Sequence, residues 1–122
     1  MRLRNCLLLL FITISLIANA QKPLSEYRAK RLTRFMVKKL RLSSEQKLQI
    51  ATINSVTATR KKEIQSKKDI NKEELQKELI ELNKNRERNY AQVLTPDQLK
   101  NYNVHRNQKL RKKKNKNIRT RF

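Results

Sequence analysis

Apolar residues recur at helical spacing along most of the chain and divide it into four amphipathic segments. The first segment covers residues 25–40, and the second covers residues 43–67. The apolar positions of the first are Leu32, Phe35, Met36 and Leu40. The second has a weaker stripe, which turns polar toward its end and consists of Gln46, Ile50, Ile53, Thr57, Arg60 and Ile64, with Val56 beside it. This spacing predicts one helix in each segment.

The third and fourth segments show the same spacing. Residues 70–93 have a stripe at steps of three and four residues, made of Leu75, Leu79, Leu82, Arg86, Tyr90 and Val93. Residues 96–112 continue with Leu99, Tyr102, Arg106 and Leu110. Glycine is absent, only Pro23 and Pro96 interrupt the backbone, and strong helix formers are abundant. We therefore predict an all-α protein with four helices.

The first twenty residues have the features of a secretory signal peptide. Two arginines precede an uncharged apolar stretch at 7–17, and the segment ends in Ala18-Asn19-Ala20. The apolar stretch is shorter than the roughly 20 residues that a membrane-spanning helix needs. Cys6 precedes this stretch, whereas a lipid-modified cysteine would follow it. We predict cleavage after Ala20, export to the periplasm, a mature chain without cysteine, and no transmembrane segment once the signal is removed.

The chain expected after cleavage is strongly basic and has few large apolar residues. Residues 1–20 contain only Arg2 and Arg4 as charged residues, so 29 of the 31 basic and all 10 acidic residues remain, a formal charge of +19. Leu, Ile, Val and Phe make up 23 of the remaining 102 residues, too few for a thick core. We expect residues 21–112 to form a thin helical domain that buries further surface in a homodimer. Residues 113–122 should form a flexible basic tail, because their like charges repel.

Two pentapeptides, residues 42–46 and 94–98, share the pattern Leu-[Ser/Thr]-x-x-Gln. In each we expect a capping box, in which the Ser or Thr hydroxyl accepts from the backbone N–H three residues on and the Gln side chain reaches back to the cap's own N–H. Pro96 suits the first helical position, where its missing N–H does no harm. As hydrophobic staples, we expect Leu94 to pack on Leu99 and Leu42 on Leu48. The motif residues are Leu42, Ser43, Gln46, Leu94, Thr95 and Gln98.

With both motifs behind a signal peptide in a basic helical chain, the sequence resembles the LTxxQ family of Spy/CpxP-like periplasmic proteins. The resemblance covers roughly residues 34–113. It implies an elongated four-helix hairpin, thin and curved, that dimerises in antiparallel fashion into a cradle and holds unfolding clients without ATP. The chain departs from the family pattern in the serine of its first motif, its scarcity of methionine and its longer basic tail.

The positive charge and the resemblance together predict an ATP-independent periplasmic chaperone that acts in an envelope stress response. Cationic side chains would attract acidic unfolded segments, and shallow apolar positions would add weak, adaptable contact. The residues expected to contact clients are Arg28, Arg31, Arg34, Phe35, Met36, Lys38, Lys39, Ile53, Val56, Arg60, Lys61 and Lys62. For each apolar member, packing between helices is an equal alternative.

Two other functions stay open. The basic tail would bind polyanions or an acidic envelope surface, since charge of this size attracts phosphate polymers. No specific nucleic acid is expected, because aromatic residues are lacking from the tail apart from Phe122. The CpxP side of the resemblance implies instead a regulator that docks on a membrane stress sensor.

The sequence offers no set of residues suited to catalysis, a cofactor or a metal ion. Glycine-rich phosphate loops are excluded by the lack of glycine. His105 is the only histidine and is expected to be an exposed helix residue, because a metal ligand or general base would need partners. The acidic residues of the third segment are interleaved with lysines and are expected to form a solvated face: Glu73, Glu74, Glu78 and Glu81.

Overall fold

The computed structural model describes residues 24–120, which fold into four helices. Helix α1 spans Leu24–Leu40, α2 Ser44–Ser66, α3 Lys72–Val93 and α4 Pro96–Arg119. No strand occurs between residues 24 and 120, and the predicted all-α fold with four helices is confirmed. The predicted signal peptide and its cleavage site lie outside the described residues.

The helices pack as a long hairpin with α1 along one side. Short connections make α1 and α2, and then α2 and α3, antiparallel neighbours, and these two pairs have most of the contacts between elements. The 23 residues of α2 span about 34 Å. Helix α4 contacts α1 and α3 only in its first part, and every residue from Arg106 to Thr120 is exposed. The described chain is therefore slender.

The end of α1 and the starts of the other three helices have local causes in the sequence. Arg41 adopts a left-handed conformation with φ 52°, and the N–H of Leu42 bonds the carbonyl oxygen of Val37 at 3.3 Å, which closes the end of α1. Asn71 caps α3, because its side chain accepts from the N–H of Glu74 at 2.8 Å. Helices α2 and α4 begin at the two Leu-[Ser/Thr]-x-x-Gln motifs.

The main core lies at the end of the hairpin where the two motifs meet. Its members come from all four helices and their connections: Met36, Leu40, Ile50, Tyr90, Leu94 and Tyr102. A shell of partly buried residues packs against them, namely Leu32, Leu42, Ile53, Val93 and Leu99. At the other end of the hairpin, Ile64 is also buried. The expectation of a thin core agrees with this arrangement.

Two predictions about local structure are wrong. The last helix continues to Arg119 instead of ending near residue 112, because Lys and Arg are good helix formers and cations are favoured near a helix C-terminus. Whether residues 113–122 are flexible stays a prediction. Leu48 is 71% exposed and does not staple Leu42, since it lies two residues from buried Ile50 and so on the opposite side of α2. Leu42 packs against the core instead.

Candidate functional site

Both predicted capping boxes are present. At the start of α2, the N–H of Gln46 donates to Ser43 Oγ at 3.2 Å, and the N–H of Ser43 donates to Gln46 Oε1 at 3.0 Å. At the start of α4, the N–H of Gln98 donates to Thr95 Oγ1 at 3.3 Å, and the N–H of Thr95 donates to Gln98 Oε1 at 3.0 Å. Pro96 occupies the first turn of α4 as expected.

The two motifs are also bonded to each other through their glutamines, which we call the glutamine joint (Gln46 and Gln98). Gln46 Nε2 donates to Gln98 Oε1 at 2.7 Å, and Gln98 Nε2 donates to Gln46 Oε1 at 3.2 Å. Each amide also bonds the end of the helix that precedes the other motif. Gln46 Nε2 reaches the carbonyl oxygen of Val93 at 3.1 Å, and Gln98 Nε2 reaches that of Leu40 at 3.3 Å.

The glutamine joint explains why both motifs end in an amide. A helix start alone accepts Glu or Gln at this position, because the capping bond needs only an acceptor oxygen. Here each side chain must accept and donate at once, which a carboxylate cannot do. The sequence predicted the two boxes separately, but it gave no distance between them. Sequence analysis did not predict that the C-terminal ends of α1 and α3 and the starts of α2 and α4 meet at one point.

A second polar connection runs through the core and was not singled out in the sequence. Thr33 Oγ1 donates to the carbonyl oxygen of Ala29 at 3.0 Å and accepts from Asn54 Nδ2 at 2.9 Å. The Tyr90 hydroxyl donates to Asn54 Oδ1. Because Thr33 and Asn54 are buried, these bonds fix the register of α1, α2 and α3. The position of Asn54, four residues after Ile50 on the buried stripe, is the signal that would have found it.

Glu87 links α3 to the first part of α4. Its carboxylate accepts from the Tyr102 hydroxyl at 2.8 Å and lies 3.3 Å from Arg106 and 3.4 Å from Arg86. The rings of Tyr90 and Tyr102 meet edge to face at 5.2 Å. Burial raises the pKa of Tyr90 from 10.0 to about 12. The pKa of Tyr102 is also raised, by burial first and then by its hydrogen bond to Glu87.

Positive charge is concentrated on two of the four helices. Helix α1 has six basic residues and one acidic residue, and α4 has nine and one, whereas α3 has five of each. Eight of the nine basic residues of α4 lie at or beyond Arg106, so the excess charge is on α1 and on the exposed part of α4. The acidic residues of α3 are not gathered: Glu78 pairs with Lys67 at 2.8 Å, and Glu81 pairs with Arg88 at 2.7 Å.

One side of α1 is largely exposed, although the Phe35 ring also contacts His105 of α4, and it combines apolar and basic side chains. We call it the α1 face, and its residues recur at helical spacing opposite the buried stripe. Leu24, Tyr27 and Phe35 remain 62%, 55% and 44% exposed. They share this side with exposed cations, so the full α1 face is Leu24, Tyr27, Arg31, Arg34, Phe35 and Lys38.

The residues predicted to contact clients fall into three groups. Met36 is completely buried in the core, so the helix-packing interpretation is correct for this residue and the client-contact assignment is wrong. Ile53 is partly buried against the core. The others are exposed, on α1 or on α2: Arg28, Arg31, Arg34, Phe35, Lys38, Lys39, Val56, Arg60, Lys61 and Lys62. Leu24 and Tyr27 were missed, although their spacing to Arg31 was visible in the sequence.

His105 is half-buried, so the prediction that it is an exposed helix residue is wrong. Its ring meets that of Phe35 edge to face, with the ring centres 6.0 Å apart. This contact belongs to the packing of α4 on α1. Between residues 24 and 120, no group of three or more His, Cys, Asp and Glu side chains is placed to hold a metal ion. Within the same residues, no helix is both long and apolar enough to cross a membrane.

Comparison of the sequence with family models gives a match that includes both motifs. Residues 18–102 match the model described as a domain of unknown function, DUF4890. Neither the curated proteins nor the solved structures contain a match to the chain. Because the match covers more than half of the chain, the protein belongs to the DUF4890 family.

Proposed function

We propose that the protein is an ATP-independent chaperone of the periplasm that holds unfolded polypeptides on its α1 face. The observation that carries this proposal is the exposure of Leu24, Tyr27 and Phe35 on the same side of one helix as Arg31, Arg34 and Lys38. Large apolar side chains that are exposed on one side of a helix, with cations among them, support an interaction site there. Their spacing suits extended segments with mixed composition better than a single shaped ligand.

The basic residues on the α1 face make this surface prefer acidic clients and raise the rate at which it binds them. Unfolded segments with a negative charge are drawn to it over a distance, which raises the association rate before any close contact forms. The apolar residues then contribute weak contact that many sequences can satisfy. Such binding needs no nucleotide, because clients bind and dissociate according to their affinity for the surface alone.

The resemblance to the Spy/CpxP-like proteins supports the same proposal. It rests on the two Leu-[Ser/Thr]-x-x-Gln motifs, whose boxes start α2 and α4. From the resemblance we also propose export, a role in an envelope stress response and a homodimer with a curved cradle. A regulator that docks on one membrane sensor is the alternative, and a single specific partner would distinguish it from a chaperone with many clients.

The test is suppression of aggregation of a chemically unfolded client by the chain that begins at Gln21, without ATP. We expect suppression at near-stoichiometric amounts. A variant with Arg31→Gln, Arg34→Gln and Lys38→Gln should capture an acidic client about tenfold more slowly, since electrostatic attraction sets the association rate. The matched control replaces three exposed lysines of α3 and has the same net charge: Lys72→Gln, Lys77→Gln and Lys84→Gln.

The apolar part of the α1 face is tested in the same assay. Leu24→Ser with Tyr27→Ser should raise the amount of protein needed for suppression. Ile80→Ser with Val104→Ser is the control. Both residues are large, apolar and exposed, at 48% and 46%, but lie outside the α1 face. Failure to suppress aggregation of several clients, or equal losses in the α1 and control variants, would contradict the proposal.

A further inference from the structure

The exposed part of α4 is a separate cationic element, which we call the basic arm (residues 106–119). It contains eight basic residues and no acidic residue. All of its residues are exposed. Among residues 24–120, the arm forms one ion pair, between Arg106 at its beginning and Glu87. The chaperone proposal uses the α1 face and leaves the basic arm without a role.

The charge of the basic arm opposes its own helical structure. Lys109 and Lys113 are four residues apart, as are Lys112 and Lys116, and like charges at this spacing destabilise a helix. Among residues 24–120, no acidic side chain forms an ion pair with the basic residues of the arm after Arg106. An anionic partner would remove this repulsion, so the arm is complementary in charge to a polyanionic surface.

The two sides of the basic arm differ in chemistry. Leu110 and Ile118 lie two turns apart on one side and remain 56% and 48% exposed. Lys113, Lys114 and Asn117 line the shallow groove that joins them. Arg111 lies seven residues before Ile118 and therefore flanks it on the same side of the helix. Helical spacing places Lys112, Lys116 and Arg119 on the opposite side. The near side therefore combines aliphatic side chains with flanking cations, whereas the far side has cations but no aliphatic side chain.

We propose that the near side of the basic arm binds an anionic lipid surface. Lipid headgroups would neutralise the cations, and the boundary with the acyl chains would receive Leu110 and Ile118. A nucleic acid would use the phosphate contacts alone and leave both aliphatic side chains without a partner. This inference goes beyond the proposed chaperone function, and lipid binding is measurable whether or not the protein holds clients.

The experiment is co-sedimentation of the chain that begins at Gln21 with phosphatidylcholine vesicles, with and without phosphatidylglycerol, at physiological ionic strength. The chain that begins at Gln21 lacks the apolar stretch at residues 7–17, whose own insertion into the vesicles would mask binding by the basic arm. The near-side variant is Arg111→Gln, Lys113→Gln and Lys114→Gln. The far-side variant, Lys112→Gln, Lys116→Gln and Arg119→Gln, has the same net charge and serves as the matched control. Circular dichroism checks that both keep their helices.

We expect binding only to vesicles that contain phosphatidylglycerol. Each Lys or Arg near an anionic surface strengthens binding roughly fivefold, so the near-side variant should bind about 100-fold more weakly and the far-side variant less than about fivefold. Leu110→Asn with Ile118→Asn should also weaken binding. Equal losses in the two charge variants would overturn the proposal. So would tighter binding to a DNA duplex than to the vesicles, unaffected by the Leu110 and Ile118 changes.

Discussion

The glutamine joint makes a prediction that a pair of independent helix caps would not make. Gln98→Glu keeps the shape of the side chain and keeps an acceptor for the N–H of Thr95. It removes the donor to Leu40 at 3.3 Å and to Gln46 Oε1 at 3.2 Å, and it places a carboxylate against both oxygens. Glu is a good capping-box residue, so a separate cap would tolerate this change.

The expected loss is a large part of the stability of a domain of this size. A hydrogen bond contributes about 1 kcal/mol net, and a partly buried acceptor that loses its donor costs about 1–3 kcal/mol. Two lost bonds in a partly buried setting therefore lower the free energy of unfolding by about 2–3 kcal/mol. Domains are stable by about 5–15 kcal/mol, and this loss lowers the melting temperature by roughly 10–20 °C.

The assay is urea unfolding followed by circular dichroism, with Glu74→Gln as the matched control. Glu74 occupies the same third position of α3, where its N–H bonds Asn71, but it lies outside the glutamine joint. The control should change stability by less than about 0.5 kcal/mol, as surface substitutions do. The deficit of Gln98→Glu should shrink as pH falls, because protonation of the new carboxyl restores a donor. Equal stability of Gln98→Glu and the unsubstituted chain would refute the joint.

Further predictions concern the core, the pH response, a helix end and the N-terminus. Tyr90→Phe leaves Asn54 Oδ1 buried without its donor and should cost about 1–3 kcal/mol in urea unfolding. Because the pKa of Tyr90 is raised from 10.0 to about 12, the unfolded chain releases this proton first. The melting temperature should therefore fall as pH rises above 10, and less so in Tyr90→Phe. Arg41→Gly relieves a left-handed backbone and should stabilise the chain by about 0.5–1 kcal/mol in the same unfolding assay. Mass spectrometry of the exported protein should find Gln21 as its first residue, and a retained Ala20 would contradict the predicted cleavage.

The helices and their starts were largely predictable because their causes are local. Ser43 and Thr95 precede a Gln by three residues, and this spacing alone predicts a capping box. The end of α4 was not predictable from charge, since the repulsion among its lysines and their helix propensity act in opposite directions. The sequence alone does not show whether the repulsion or the helix propensity is larger.

The connections between helices were beyond the reach of sequence patterns. The bonds from Asn54 to Thr33 and to Tyr90 join residues 21 and 36 positions apart. Gln46 and Gln98 are 52 positions apart. Periodicity identifies a buried side of each helix but not the residue that it faces. The assignment of Met36 to client contact was wrong for the same reason, because one helix alone does not show which apolar residues its neighbours cover.

Site-specific photo-crosslinking tests the central functional claim most directly. A photoreactive residue is placed at Arg31 on the α1 face or, as a control, at Lys84 on α3, where acidic and basic residues balance. Each protein is then mixed with a client diluted from denaturant. The proposed function predicts that client crosslinks form mainly from position 31 and decrease with Leu24→Ser and Tyr27→Ser. Crosslinks that form equally from position 84, or that form from neither position while the protein is folded, would contradict it.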